Sequence, residues 1–200
     1  MKSYTIHYVH TTPDWSTIPS LHVNEHLWIP SDKISMTVQI CYNEDGFYVH
    51  MKAVEPHIRA EHNAPLSMIC EDSCMEWFFC PQKDDSRYIN FEINPNGYTF
   101  IGISHCRADN VRLCPPNEEE LFHKTVQRTP DGWEVYYTIP VSFLRVFFPD
   151  YKLVSGLTVR ANCYKCGDLT VSPHYISWNP VDYPTPDFHR PCDFGTMILE

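Results

Sequence analysis

Six side chains of this 200-residue chain have the chemistry that sugar recognition needs: Trp178, Glu76, Asn90, Arg160, Asn162 and Tyr88. A sugar offers an apolar C–H face and a polar rim. A binder therefore combines a ring to stack on with fixed carboxylates, amides or guanidinium groups that meet the hydroxyls. Trp178 follows an apolar alternation and precedes a proline-pinned loop with Pro180, Pro184, Pro186 and Pro191. That context makes it the expected stacking platform; the alternative is that it packs beneath the Tyr183/Pro184/Pro186 stretch. Arg160 and Glu76 are expected to pair bidentately, holding the carboxylate rigid with one oxygen free for a hydroxyl. Tyr88 would line the same site.

Other chemistries draw on overlapping residues. Paired carboxylates in a cleft suit glycoside hydrolysis, with Glu76 and either Glu92 or Glu134 as acid and base. Cys163-x-x-Cys166, with His189 and Cys192 downstream, is half of a zinc or redox pattern, but no second close pair follows and strand parity turns Cys163 and Cys166 to opposite faces. Asp84 and Asp85, in the turn at residues 82–86, are the best local carboxylates for a hard cation. Neither a Gly-rich phosphate cradle nor a Gly-x-Ser-x-Gly elbow occurs, so nucleotide-dependent and serine-hydrolase chemistry lacks support.

These residues must be positioned by strands. Period-2 alternation dominates, and Gly-closed turns at Asn43-Glu44-Asp45-Gly46, Asn94-Pro95-Asn96-Gly97 and Thr129-Pro130-Asp131-Gly132 join three hairpins. Further strands are expected over 4–9, 74–80, 157–164, 174–178 and 195–199. One helix is expected over 141–148, entered through Pro140 and closed by Pro149. The stretch 11–31 reads as irregular, anchored at an edge by Trp15 and Trp28. The expected architecture is all-β, a two-sheet antiparallel β-sandwich of jelly-roll type with one short helix, in a single domain over residues 1–200.

Parity then sorts the faces. Ile89/Phe91/Ile93, Met75/Trp77/Phe79, Phe47/Val49/Met51 and Val159/Ala161/Cys163 read as core. Tyr88/Asn90/Glu92, Glu76/Phe78 and Arg160/Asn162/Tyr164 fall on the opposite face, which is expected to form a polar and aromatic binding surface.

A formal net charge of −10, with no clustered basic run, argues against nucleic acid or anionic lipid as partners. The nine cysteines are scattered and odd in number, and no leader pattern opens the sequence. Free thiols in a reducing cytoplasm are expected, or a secreted protein if a leader has been removed.

Four segments together resemble carbohydrate-binding module family 9 and its free-standing relatives. They are Glu71-Asp72-Ser73-Cys74-Met75-Glu76-Trp77-Phe78, the hairpin from Tyr88 to Gly97, the strand Gly132 to Pro140, and Arg160 to Lys165 with Trp178 and Phe188 to Gly195. The resemblance implies a non-catalytic β-sandwich that binds small sugars or the ends of glucan or xylan chains, with calcium in structural loops. Where sugar-binding members commonly carry a second Trp ahead of the Asp-Ser-x-x-Glu strand, this chain has Ile69 and Cys70. Two alternatives therefore stay open beside carbohydrate binding: a glycoside hydrolase, and an interaction domain that has lost its sugar.

Overall fold

A computed structural model describes residues 1–200. Two curled sheets face each other. One runs β10 (Thr125–Thr129), β11 (Gly132–Pro140), β5 (Gly46–Val54), β4 (Ser35–Tyr42) and β1 (Ser3–Tyr8), with β2 (Leu21–Val23) also on β4. The other runs β14 (Gly195–Leu199), β12 (Thr158–Gly167), β6 (Cys74–Cys80), β7 (Tyr88–Ile93), β8 (Thr99–Ser104) and β9 (Val111–Leu113). On its flank β13 (His174–Ser177) pairs with β12, and β3 (Glu25–His26) with β13. All pairings are antiparallel except the two made by β1, whose first half lies parallel to β14 and whose second half lies parallel to β4. This one strand stitches the sheets into a mixed, continuous whole.

The parity expected from sequence is seen on the inner faces. Phe47, Val49, Met51, Met75, Trp77, Phe79, Ile89, Phe91, Ile93, Val159, Ala161 and Cys163 all pack in the main core. The helix α2 (Val141–Phe147) buries Val141, Phe143 and Leu144 over one end and stops before Pro149, which disfavours helical geometry in the residue ahead of it. A five-residue helix, α1 (Glu118–Phe122), carries three glutamates in its first turn and plugs the same end with Phe122. Within the stretch expected to be irregular, β2 and β3 form, and Trp15 and Trp28 do anchor it, against His50 and Tyr136 and against Tyr175 and Phe188 respectively.

The outer face of β6, β7 and β12 departs from expectation. It is covered rather than open: Phe78, Tyr88 and Tyr164 join Val181, Phe188 and Phe194 in a second apolar cluster. The roof is the proline-rich segment after Trp178. Its proline-fixed backbone leaves few ladder groups free, and side chains fasten it instead: Asn162 Nδ2 donates to the Asn179 carbonyl (2.9 Å), Asn179 Nδ2 to that of Asp193 (2.8 Å), and the Tyr164 hydroxyl to that of Phe188 (3.2 Å).

Charge is also buried between the sheets. Lys165 Nζ lies 3.1 Å from Glu55 Oε2, an ion pair without the angle of a directed hydrogen bond. The ammonium donates to His174 Nε2 (2.7 Å) and to the Cys166 carbonyl (2.9 Å), and the Ser73 hydroxyl donates to Glu55 Oε1 (2.7 Å). All four side chains are removed from water.

Candidate ligand-binding site

The antiparallel register lays out one row across four strands: Tyr164 opposite Glu76, Glu76 opposite Glu92, and Glu92 opposite Phe100. The next row places Tyr175 opposite Cys166 and Cys166 opposite Cys74. Directly paired residues hold their Cβ atoms about 5 Å apart, so both rows present contiguous side chains on the outer face. The roof does not reach the end of these rows. There a cavity of about 210 Å³ opens, walled by Glu76, Glu92, Phe100, Cys166 and Tyr175 from the sheet and by Cys70, Arg107, Asp168 and the segment Pro186 to His189 around it.

Its electrostatics follow from burial. Glu76 and Glu92 are 2% and 5% exposed. Burial pushes the Glu76 carboxyl up to about 7, against the opposing hydrogen bond from the Cys166 thiol. Burial, and then the Glu76 charge, holds the Glu92 carboxyl well above the usual carboxylate range. Asp168 is also raised by burial, and the Tyr175 phenol is pushed up to about 12 by burial and the Asp168 carboxylate beside it. Arg107 sits exposed on the rim, its Nε donating to Asp187 Oδ1 at 3.0 Å. Arg112 lies 4.0 Å over the Phe100 ring and covers one of its faces.

His189 closes one wall, and its Nδ1 meets the Tyr88 hydroxyl at 2.7 Å. Burial, and then the Arg107 cation, takes the His189 imidazole from 6.5 down to about 4. The unfolded chain therefore binds this proton more readily, and stability is lost as pH falls from about 6.5 through 4, by up to roughly 3 kcal/mol. We expect His189→Gln, which keeps an acceptor for Tyr88, to lack this share of the acid loss. Urea unfolding of both proteins between pH 7 and 4 measures it; parallel pH curves would contradict it.

The residues expected from sequence divide sharply. Glu76 lines the cavity. Asn90 stands behind it: its Nδ2 donates to Glu92 Oε1 (3.0 Å) and its Oδ1 accepts from Asn110 (3.2 Å). That arrangement depends on Gly102, where a Cβ would stand 2.5 Å from Asn90 Oδ1. Tyr88 is fully buried under the roof, with only its hydroxyl reaching His189. Asn162 is a roof fastener, as described above.

Three expectations are corrected. Trp178 is 4% exposed and belongs to the main core, its six-membered ring lying where any Cβ on Gly195 would collide (2.7 Å), so protein covers its faces. Arg160 does not pair with Glu76. It sits opposite Cys80, four residues further along β6, which is about 13 Å at strand rise, and its guanidinium donates to the Pro191 carbonyl. Asp84 and Asp85 do not fit a calcium cage, because Arg87 engages the Asp85 carboxylate through both Nε and Nη2 while Asp84 is exposed. Glu134, the other carboxylate weighed as an acid or base, lies on the opposite sheet against His50 at 3.0 Å.

Phe100, Arg107, Asp168 and Tyr175 were not singled out from sequence. Tyr175 had an available signal: it alternates with Ile176, a core residue, and so must face outward.

Comparison with known proteins agrees with this architecture. Among solved structures, a candidate carbohydrate-binding protein from Bacteroides uniformis ATCC 8492 superposes with a TM-score of 0.84 at 26% identity, over 100% of this chain and 99% of that one. A family 9 carbohydrate-binding module from Caldicellulosiruptor kristjanssonii, in complex with cellotriose, matches at TM-score 0.71 and 13% identity over 100% and 94% of the two chains. The same organism's module in complex with glucose matches at 0.70 and 13%, over 100% and 96%. No curated protein matches. The model of carbohydrate-binding family 9 matches residues 9–199, nearly the whole length, and the chain belongs to that family.

Proposed function

We propose that the protein binds carbohydrate in the cavity beside Glu92 and Tyr175, taking a small sugar or the end of a glucan or xylan chain. The observation that carries this reading is the row of paired carboxylates ending at Phe100, with Tyr175 across the cavity. Tyr175 supplies the stacking ring, Glu92 and Asp168 accept from hydroxyls, and Arg107 donates from the rim. Asn90 fixes the Glu92 carboxylate, so little ordering is left to the moment of binding. A cavity of about 210 Å³ is below the range of drug-sized sites and matches a single sugar unit. The glucose and cellotriose complexes of the Caldicellulosiruptor modules point to the same ligand class.

Isothermal titration with glucose, xylose, cello-oligosaccharides and xylo-oligosaccharides tests it. Binding is expected with at least one of these and should weaken about tenfold in Tyr175→Ala. Absence of heat with every sugar, or unchanged affinity in the variant, would overturn the reading.

A further inference from the structure

The register that builds the sugar cavity also gathers two thiols that sugar binding does not use. Cys74 opens β6, and Cys166, near the end of β12, is its direct cross-strand partner. Glu76 lies two residues beyond Cys74 and therefore on the same face. One ligand atom from each of the three lies within 4.8 Å of the others, and Cys166 Sγ is already 2.9 Å from Glu76 Oε1. All three residues are buried, at 0%, 2% and 2% exposure.

A tetrahedral ion with metal–sulfur bonds near 2.3 Å and a metal–oxygen bond near 2.1 Å needs ligand atoms about 3.5–3.8 Å apart. The three atoms would therefore shift by about 1 Å at most. Two of the three, Glu76 and Cys166, also line the cavity, where Cys70 stands in the wall and its carbonyl is 3.7 Å from Cys166 Sγ. Two sulfurs and one carboxylate select for a soft, thiophilic cation and against calcium or magnesium, whose ligands are all oxygen.

From this geometry we infer that Cys74, Cys166 and Glu76 form a binding site for a zinc-class divalent cation, with its fourth position open to the cavity. Binding releases the two thiol protons to solvent, together with whatever proton Glu76 carries at the working pH, leaving two thiolates and a carboxylate on the ion. The site differs from the Cys163/Cys166/His189/Cys192 pattern weighed from sequence. Cys163 lies in the main core, Cys192 is exposed, and only Cys166 is shared.

The test uses the full chain, reduced and stripped with chelator, titrated with Co²⁺ in the absence of sugar. One equivalent should produce thiolate-to-cobalt charge-transfer absorption and the intense visible bands of tetrahedral Co²⁺, and Zn²⁺ should displace it. Cys74→Ser and Cys166→Ser should each weaken binding at least a hundredfold, while Cys192→Ser should leave it unchanged. If either serine variant fails to fold, proton release by the unaltered protein, expected between about two and three per metal at pH 7 because Glu76 titrates near 7, decides the matter. Absence of the tetrahedral spectrum, retention of it in both Cys74→Ser and Cys166→Ser, or metal uptake without proton release would overturn the inference. Sugar titrations of stripped and metal-loaded protein keep the two readings apart. Sugar affinity without metal affinity removes the metal site alone, and metal affinity without sugar affinity removes the carbohydrate reading alone.

Discussion

Trp178→Ala is expected to lower the unfolding free energy by about 3–5 kcal/mol, the cost of emptying a large aromatic site in a packed core. Trp178 sits among the main-core residues with its ring against Gly195, the first residue of β14, which pairs with β12 and is continued by β1. Truncation leaves a void where the two sheets are stitched together, and the glycine cannot fill it. The folded variant should bind sugar as the parent does, because the ring faces protein and not the cavity. Urea unfolding together with sugar titration well below the transition separates the two roles. A stacking role would give the reverse pattern, near-normal stability with lost affinity.

Lys165→Met is expected to be comparably costly, about 3–5 kcal/mol, for an electrostatic reason. Lys165 and Glu55 are 0% and 1% exposed in their side chains, so removing the ammonium strands a carboxylate where water cannot reach it. His174 does not replace the lost charge, because burial, the largest cause of its lowered pKa, still opposes protonation of its imidazole when the Lys165 cation is gone. Removing both charges should be far milder: the double variant Lys165→Met with Glu55→Gln is expected to recover at least half of the loss. Denaturant midpoints of the two single variants and the double variant form the cycle. Additive losses would show that the two groups do not act as a pair.

Much of the fold is legible in the sequence because period-2 alternation reports directly on a two-sided sheet. The Ile89/Phe91/Ile93 and Met75/Trp77/Phe79 sets, the Gly-closed turns and the helix bounded by Pro140 and Pro149 all follow from local chemistry. Less legible is what lies above a sheet face. Glu76, Asn90 and Asn162 share one face, as alternation requires, yet only Glu76 reaches the cavity, because the segment carrying Val181, Phe188 and Phe194 covers the others. A covering segment of this kind forms no ladder and leaves no periodic trace. The Arg160–Glu76 pairing failed for a related reason: parity gives the face but not the position along the strand, and the β6–β12 register separates the two residues. Trp178 was within reach of the same logic. It stands two residues beyond Ile176 and shares its inward parity, so the outward-facing aromatic of that strand is Tyr175, which is half-buried. The parallel pairings of β1 were not legible either, since nothing in a six-residue strand states the direction of its neighbours.

The most direct test of the binding account is an amide chemical-shift titration of the isotope-labelled protein with glucose and with cellotriose. Saturable perturbations are expected to cluster at Phe100, Arg107, Asp168, Tyr175 and His189, with Trp178 and Arg160 little moved. Perturbations centred instead on the cavity beside Asp32, His57 and Ser172, or no saturable shifts with either sugar, would contradict it.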